Sequence, residues 1–134
     1  MICVVDPSVA VEIVLDKAQA TYYSEILSDA EWVIAPDLFI SEVTNVFWKY
    51  NRFENLPLEI CEESLSASLK LIDDFIHAKN LYQEALSFAC ATSHPVYDIM
   101  YLVLTRRHSG YLLTLDKQMI QLATNNSIRV MQKK

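Results

Sequence analysis

Glycine is all but missing from this chain: Gly110 is the one such residue among 134. Few turns can then rely on positive φ, as suits helices joined by short connections. Cysteine is nearly as scarce. Cys3, Cys61 and Cys90 are odd in number and lack the spacing of a metal-binding set, so they read as buried thiols of a reducing cytoplasm. No stretch approaches the roughly 20 apolar residues that span a bilayer. The chain reaches an acid at position 6 with no basic start, which argues against a signal peptide. Repeats, low-complexity tracts and linkers are absent as well. Positive charge is in deficit: 11 Lys and Arg face 17 Asp and Glu, for a net charge of −6. That balance counts against nucleic-acid binding through a broad basic surface. The objection weakens if acids hold cations, because two divalent ions would cancel four of those charges and leave a local basic rim.

What the chain does have is material for a core. Hydrophobic residues make up 52% and charged residues 21%, which predicts one folded domain over residues 1–134 that buries roughly two-thirds of its unfolded surface. Ile2-Cys3-Val4-Val5 reads as a short strand buried on both faces, and Asp6-Pro7-Ser8 as its passage into a helix. Helices are predicted over 7–16, 20–29, 38–53, 58–71, 81–91, 95–107 and 116–125, with Asp37 placed to cap the third. Strands are predicted at 32–35, 73–77, 111–114 and 128–130. This alternation specifies an α/β fold: a central parallel sheet of four to five strands flanked by helices.

Most of the seventeen acids need no special account, but four lie inside the most apolar segments. Asp6 and Asp116 follow strands. Asp98 is the only charge in Val96–Leu104, a helix apolar nearly all round and so expected to be buried. Glu42 shares a helix with Phe39, Val43, Val46, Phe47 and Tyr50. A buried carboxylate is costly unless paired, hydrogen-bonded or bound to a metal. Apart from Lys49, two turns beyond Glu42, no Lys or Arg lies within these runs, so a cation from solution is the simplest partner, and hard oxygen ligands favour Mg²⁺ or Mn²⁺. Strand ends and a helix start would bring Asp6, Asp98 and Asp116 to one crevice, with Glu42 reaching in from a flanking helix. Glu12 also sits among apolar neighbours. Ser8, Glu12 and Asp16 fall at four-residue spacing, however, which reads as a solvated polar stripe.

These segments carry a family resemblance. Val4-Val5-Asp6-Pro7-Ser8, Ala35-Pro36-Asp37 leading to Glu42-Val43-Thr44-Asn45, His94-Pro95-Val96-Tyr97-Asp98-Ile99-Met100-Tyr101-Leu102, and Leu113-Thr114-Leu115-Asp116 resemble PIN-domain ribonucleases, and among them the VapC-type toxins of toxin–antitoxin pairs. The likeness covers essentially the whole chain. It implies a single PIN-like domain in which Asp6, Glu42, Asp98 and Asp116 hold one or two Mg²⁺ or Mn²⁺ ions, supported by Ser8, Asn45 and Thr114. It implies a metal-dependent endoribonuclease that hydrolyses structured RNA, such as tRNA or rRNA, to 5′-phosphate and 3′-hydroxyl ends. It further implies a cytoplasmic homodimer restrained by a cognate antitoxin, with no membrane association. Pro7, Leu115 and Glu12 depart from residues common at those positions.

Other residues have less pointed readings. Lys49 and Arg52 could line an RNA groove, and Lys117 could meet the scissile phosphate, though each also reads as a solvated cation. Arg106 and Arg107 end a helix, where their charge suits the dipole. His94 reads as a loop or cap residue, and His77 and His108 show no ligand spacing. Tyr22, Tyr23, Trp48 and Phe53 are candidates for a surface that receives a partner. Three rival readings stand beside the ribonuclease: a PIN-like module that no longer cuts and serves assembly, a DNA-directed nuclease using the same acids, and phosphoryl transfer on aspartate. The last is disfavoured because Asp6-Pro7-Ser8 lacks the paired aspartates that receiver-like sites need.

Overall fold

Cys3, Val4 and Val5 have no exposed surface, because the strand they form is paired along both edges and covered on both faces. This strand, β1 (Ile2–Val5), is central in a computed structural model that describes residues 1–133. The chain then runs through α1 (Pro7–Val14) and α2 (Ala20–Asp29) to β2 (Trp32–Pro36), and through α3 (Leu38–Glu54) and α4 (Leu58–Lys70) to β3 (Asp74–Ile76). A single 3-10 turn, Ala78–Asn80, leads into α5 (Tyr82–Thr92) and α6 (Val96–Arg107), followed by β4 (Tyr111–Leu113) and α7 (Lys117–Asn125).

All pairings among the four strands are parallel, in the order β3-β2-β1-β4. Val4 faces Ile34 on one side and Leu112 on the other. The chain therefore leaves β1 toward β2 and β3 and returns to the opposite edge as β4. That reversal opens a crevice at the carboxyl ends of β1 and β4, where an open parallel sheet accommodates ligands. Helix α6 packs across β1, β2 and β4 and buries Ile99, Tyr101, Leu102, Val103 and Leu104. No helix among the described residues is long and apolar enough to cross a membrane.

The α/β architecture is as the sequence implies, with three corrections of detail. The segment expected as a terminal strand at 128–130 contributes one parallel bridge, Val130 to Leu112, and no strand. Asp37 does not cap α3 with its side chain: its backbone is already helical, at φ −64° and ψ −19°, and its carboxylate instead accepts from the Ala78 N–H at 3.1 Å. The scarcity of glycine does not spare the chain positive φ. Asp16, Asn55, Ser93, Ser109 and Ser127 all adopt it, each at or just beyond a helix end, whereas Gly110 does not. Short polar side chains tolerate that conformation better than most. Gly110 answers a different need, close approach: a Cβ there would lie 2.8 Å from the Ile2 carbonyl oxygen.

Candidate active site

At the carboxyl end of β1 the chain turns at Pro7 into α1, and Asp6 becomes the residue that caps this helix. One of its carboxylate oxygens, Oδ1, accepts from the Ser8 N–H at 3.0 Å, the Val9 N–H at 3.3 Å and the Ser8 hydroxyl at 2.5 Å. The other, Oδ2, accepts from the Thr114 hydroxyl at 2.6 Å. Every donor is neutral. Aspartate is a common helix cap, but such caps are ordinarily solvated. Asp6 is only 6% exposed, and burial pushes its carboxyl up to about 6 in spite of those hydrogen bonds.

The same network ties β1 to the far strand. Ser8 Oγ accepts from the Leu115 N–H at 2.9 Å, and Thr114 Oγ1 accepts from the Asp116 N–H at 3.1 Å. Asp116 caps α7 through the Gln118 and Met119 N–H groups, at 2.9 and 3.4 Å. Ser8 and Thr114 therefore lock the exits of β1 and β4 together and fix where the two aspartates emerge. The polar stripe expected along α1 is not solvated as a unit. Ser8 is spent on this lock, and Glu12 accepts from the Gln19 N–H at 2.8 Å, closing the turn between α1 and α2.

Glu42 lies in the second turn of α3, half-buried. Its Oε1 accepts from the Tyr101 hydroxyl at 2.6 Å. Burial raises its pKa, the Tyr101 hydrogen bond lowers it, and the charges of Asp98 and Asp6 raise it again, for a net upward shift. Asp98, in the first turn of α6, is also raised, by burial and then by Asp116, against a smaller lowering from His94. Its Oδ2 lies 3.7 Å from His94 Nε2. The four carboxylates thus form a chain in which neighbours feel one another across the crevice: Asp6 with Glu42, Glu42 with Asp98, Asp98 with Asp116.

They do not form a closed cage. Among the described residues, no three His, Cys, Asp or Glu side chains converge tightly enough to hold a metal ion unaided. Nor are all four buried, as the apolar segments suggest: Asp98 is about a third exposed at its side chain and Asp116 is exposed. α6 is less uniformly buried than its sequence suggests, because Tyr97 is exposed and Asp98 partly exposed in its first turn. The donor set nevertheless fits Mg²⁺ or Mn²⁺. It is all hard oxygen, among the described residues it has no Lys or Arg partner, and Mg²⁺ binds through one or two carboxylates while keeping several waters.

The remaining expected residues stand further out. Asn45 is exposed one turn beyond Glu42 and makes none of the site's hydrogen bonds among the described residues. Lys49 and Arg52 are exposed on α3, about 10 and 15 Å along the helix axis from Glu42 at 1.5 Å per residue. Lys117 is exposed beside Asp116 as the first residue of α7. Tyr23 does not belong to a surface for partners, being 1% exposed, whereas Trp48 and Phe53 are 55% and 65% exposed. Two functional neighbours were not legible from sequence: Tyr101, which resembles core, and His94, which resembles a cap. The signal available was helical spacing, since Tyr101 is three residues after Asp98 and His94 four before it.

The chain belongs to the PIN-domain family: the family model for the PIN domain matches residues 3–125. Within it the chain is homologous to VapC-type toxins. It is 32% identical to Ribonuclease VapC3 of Pyrobaculum aerophilum over 124 residues, covering 88% of this chain and 92% of that protein. Two solved structures share its fold. The crystal structure of PAE2754 from Pyrobaculum aerophilum superposes with a TM-score of 0.71 at 22% identity, over 91% of this chain and 87% of the other. VapBC2 from Rickettsia felis, bound to a DNA fragment from its promoter, superposes with a TM-score of 0.68 at 13% identity over all of both chains.

Proposed function

We propose that this protein is a metal-dependent endoribonuclease, a VapC-like toxin that hydrolyses RNA phosphodiesters to 5′-phosphate and 3′-hydroxyl ends. One observation carries the reading. Asp6 is buried among neutral donors, with Glu42 adding negative charge and, among the described residues, no Lys or Arg paired to offset it. A site of that kind is stable with a cation in it and unfavourable without one. The relative named as a ribonuclease points the same way.

In this mechanism Asp6, Glu42, Asp98 and Asp116 hold Mg²⁺ or Mn²⁺, directly or through water. The bound ion supplies a water of lowered pKa and offsets charge on the departing oxygen. Ser8 and Thr114 keep Asp6 from rotating, so its oxygens meet the substrate side at a fixed angle. Asp98 or Glu42, each with a raised pKa, is suited to accept a proton from the attacking water. Lys117, exposed beside Asp116, is the candidate to meet a phosphate, and Lys49 and Arg52, exposed on α3, are the candidates to contact flanking RNA. Structured RNA such as tRNA or rRNA is the substrate class, a homodimer the working form and a cognate antitoxin the restraint.

The test is cleavage of an RNA pool by the purified protein with Mg²⁺ or Mn²⁺, with single-stranded DNA in parallel. We expect RNA cut to ends that ligate only through a 5′-phosphate, no cutting in EDTA, and none by Asp6→Asn. Growth arrest on expression, relieved by a small protein encoded beside it, tests the restraint. RNA left intact by the wild type under both metals favours the second reading, a PIN-like assembly module that does not cut.

A further inference from the structure

Tyr101 is a large polar side chain placed where the core could have held leucine. It is 1% exposed in a helix whose neighbours Ile99, Leu102, Val103 and Leu104 are all buried. Its hydroxyl spends its single proton on Glu42 Oε1, at 2.6 Å, across 59 residues of chain. Among the described residues Glu42 accepts no other hydrogen bond, so its Oε2 is left unclaimed.

We propose that Tyr101 is a positioning residue for the metal site: by holding Oε1 it presents Glu42 Oε2, and only that oxygen, to a divalent cation beside Asp98. This rests on the nuclease reading and adds to it a residue that touches neither ion nor RNA. The reasoning is geometric. A glutamate on a half-buried helix face has three rotatable bonds, and nothing in α3 itself fixes them. Tyr101 and Asp98 lie three residues apart and so share one face of α6. A bond to Tyr101 therefore holds the Glu42 carboxylate against the face of α6 that also carries Asp98.

The chemistry of the donor matters as much as its place. A lysine or arginine at position 101 would fix Glu42 equally well but would neutralise it and so compete with the cation. A phenol, neutral and a single O–H donor at ordinary pH, orients the carboxylate without cancelling its charge. Such outer partners of ligating carboxylates change metal affinity by about 10–100-fold when lost.

The experiment is calorimetric titration of Mn²⁺ alone into the full-length wild type, Y101F, E42Q and the Y101F/E42Q double variant, each checked for folding by its metal-free melt. Y101F is expected to bind Mn²⁺ about 10-fold more weakly, and the same change in the E42Q background to add nothing. Unchanged affinity in Y101F overturns the proposal, and so does a tenfold loss that persists when Glu42 is already Gln. If E42Q and Asp6→Asn both bind Mn²⁺ as the wild type does, it is the nuclease site itself that fails. If Y101F does not fold, a Mn²⁺-soaked wild-type crystal decides: Oε2 toward the ion with Oε1 still on Tyr101 is expected, and both oxygens on the ion with the phenol displaced overturns it.

Discussion

Two groups of acid in this molecule meet burial in opposite ways. Glu84, on α5, is gripped by two guanidiniums at the end of α6: Arg106 Nη2 at 2.8 Å and Arg107 Nε at 2.9 Å. Burial alone would raise its pKa, but the hydrogen bonds and charges of Arg106 and Arg107 outweigh that and lower it. Asp6, deeper by far, has only hydroxyls and amides around it, and its pKa is pushed up to about 6. The chain thus has the means to neutralise a carboxylate and uses it on the surface, where it is least needed. At the crevice, where desolvation is greatest, it places further acids instead. An acid supplied with a counter-charge by the fold is a structural part, whereas one left without is poised for a charge from solution.

The contrast is broken most severely by Asp6→Asn. Asparagine caps a helix about as well as aspartate and keeps one oxygen for the Ser8 and Val9 donors. The substitution therefore removes the charge and, with it, the acceptor of the Thr114 hydroxyl. RNA cleavage is expected to fall by about 1000-fold or more, measured under single-turnover conditions with Mn²⁺. The metal-free variant should meanwhile melt higher than the wild type at pH 7, since a buried uncompensated charge is gone. Lower stability with retained cleavage would place Asp6 with Glu84 as a structural acid.

Acid should distinguish the two groups without any substitution. Asp6 binds its proton near pH 6 in the folded chain and near 3.8 in the unfolded chain. Between those values the folded state carries more protons, so its stability rises as pH falls from 7 through 6 and is lost as pH rises through 6. The gain is at most about 3 kcal/mol, and the upward shifts of Glu42 and Asp98 have the same sign. Glu84 has the opposite sign: its lowered pKa contributes stability above its ordinary 4.5 that fades in stronger acid. Melting in EDTA should therefore climb from pH 7 toward 5 in the wild type and much less in Asp6→Asn.

Much of this was readable in the sequence. Val and Ile runs ending in Asp6, Pro36 and Leu113 specify buried parallel strands, and the acids beside them mark the switch point because strand ends are where such a sheet opens. What could not be read was side-chain company across long separations. Nothing local says that Thr114 donates to Asp6, or that Tyr101 reaches Glu42 rather than filling the core. Asp37 follows the same rule, its carboxylate taken by the Ala78 N–H across 41 residues of chain, whereas Glu12 is claimed nearer by, by the Gln19 N–H of the next turn.

Metal addition sharpens the comparison next. Millimolar Mg²⁺ or Mn²⁺ should stabilise the wild type by about 1–3 kcal/mol through mass action, read as a rise in melting temperature at pH 7, and should flatten the acid response. The smallest effect is expected at the compensated acid. Glu84→Gln breaks a surface pair about a third exposed on one side and more on the other, so its loss is limited to roughly 0.5–1 kcal/mol by screening and side-chain entropy. Arg106 keeps its stack on Phe88, with the guanidinium carbon 4.4 Å from the ring centroid, which further limits the cost. Because Glu84 stands outside the Asp6–Glu42–Asp98–Asp116 chain, the variant should cleave RNA and respond to Mn²⁺ as the wild type does. A Glu84→Gln protein that folds normally but loses its metal response would mean that the two acidic groups are not independent, and that the arginines at the end of α6 reach the crevice electrostatically.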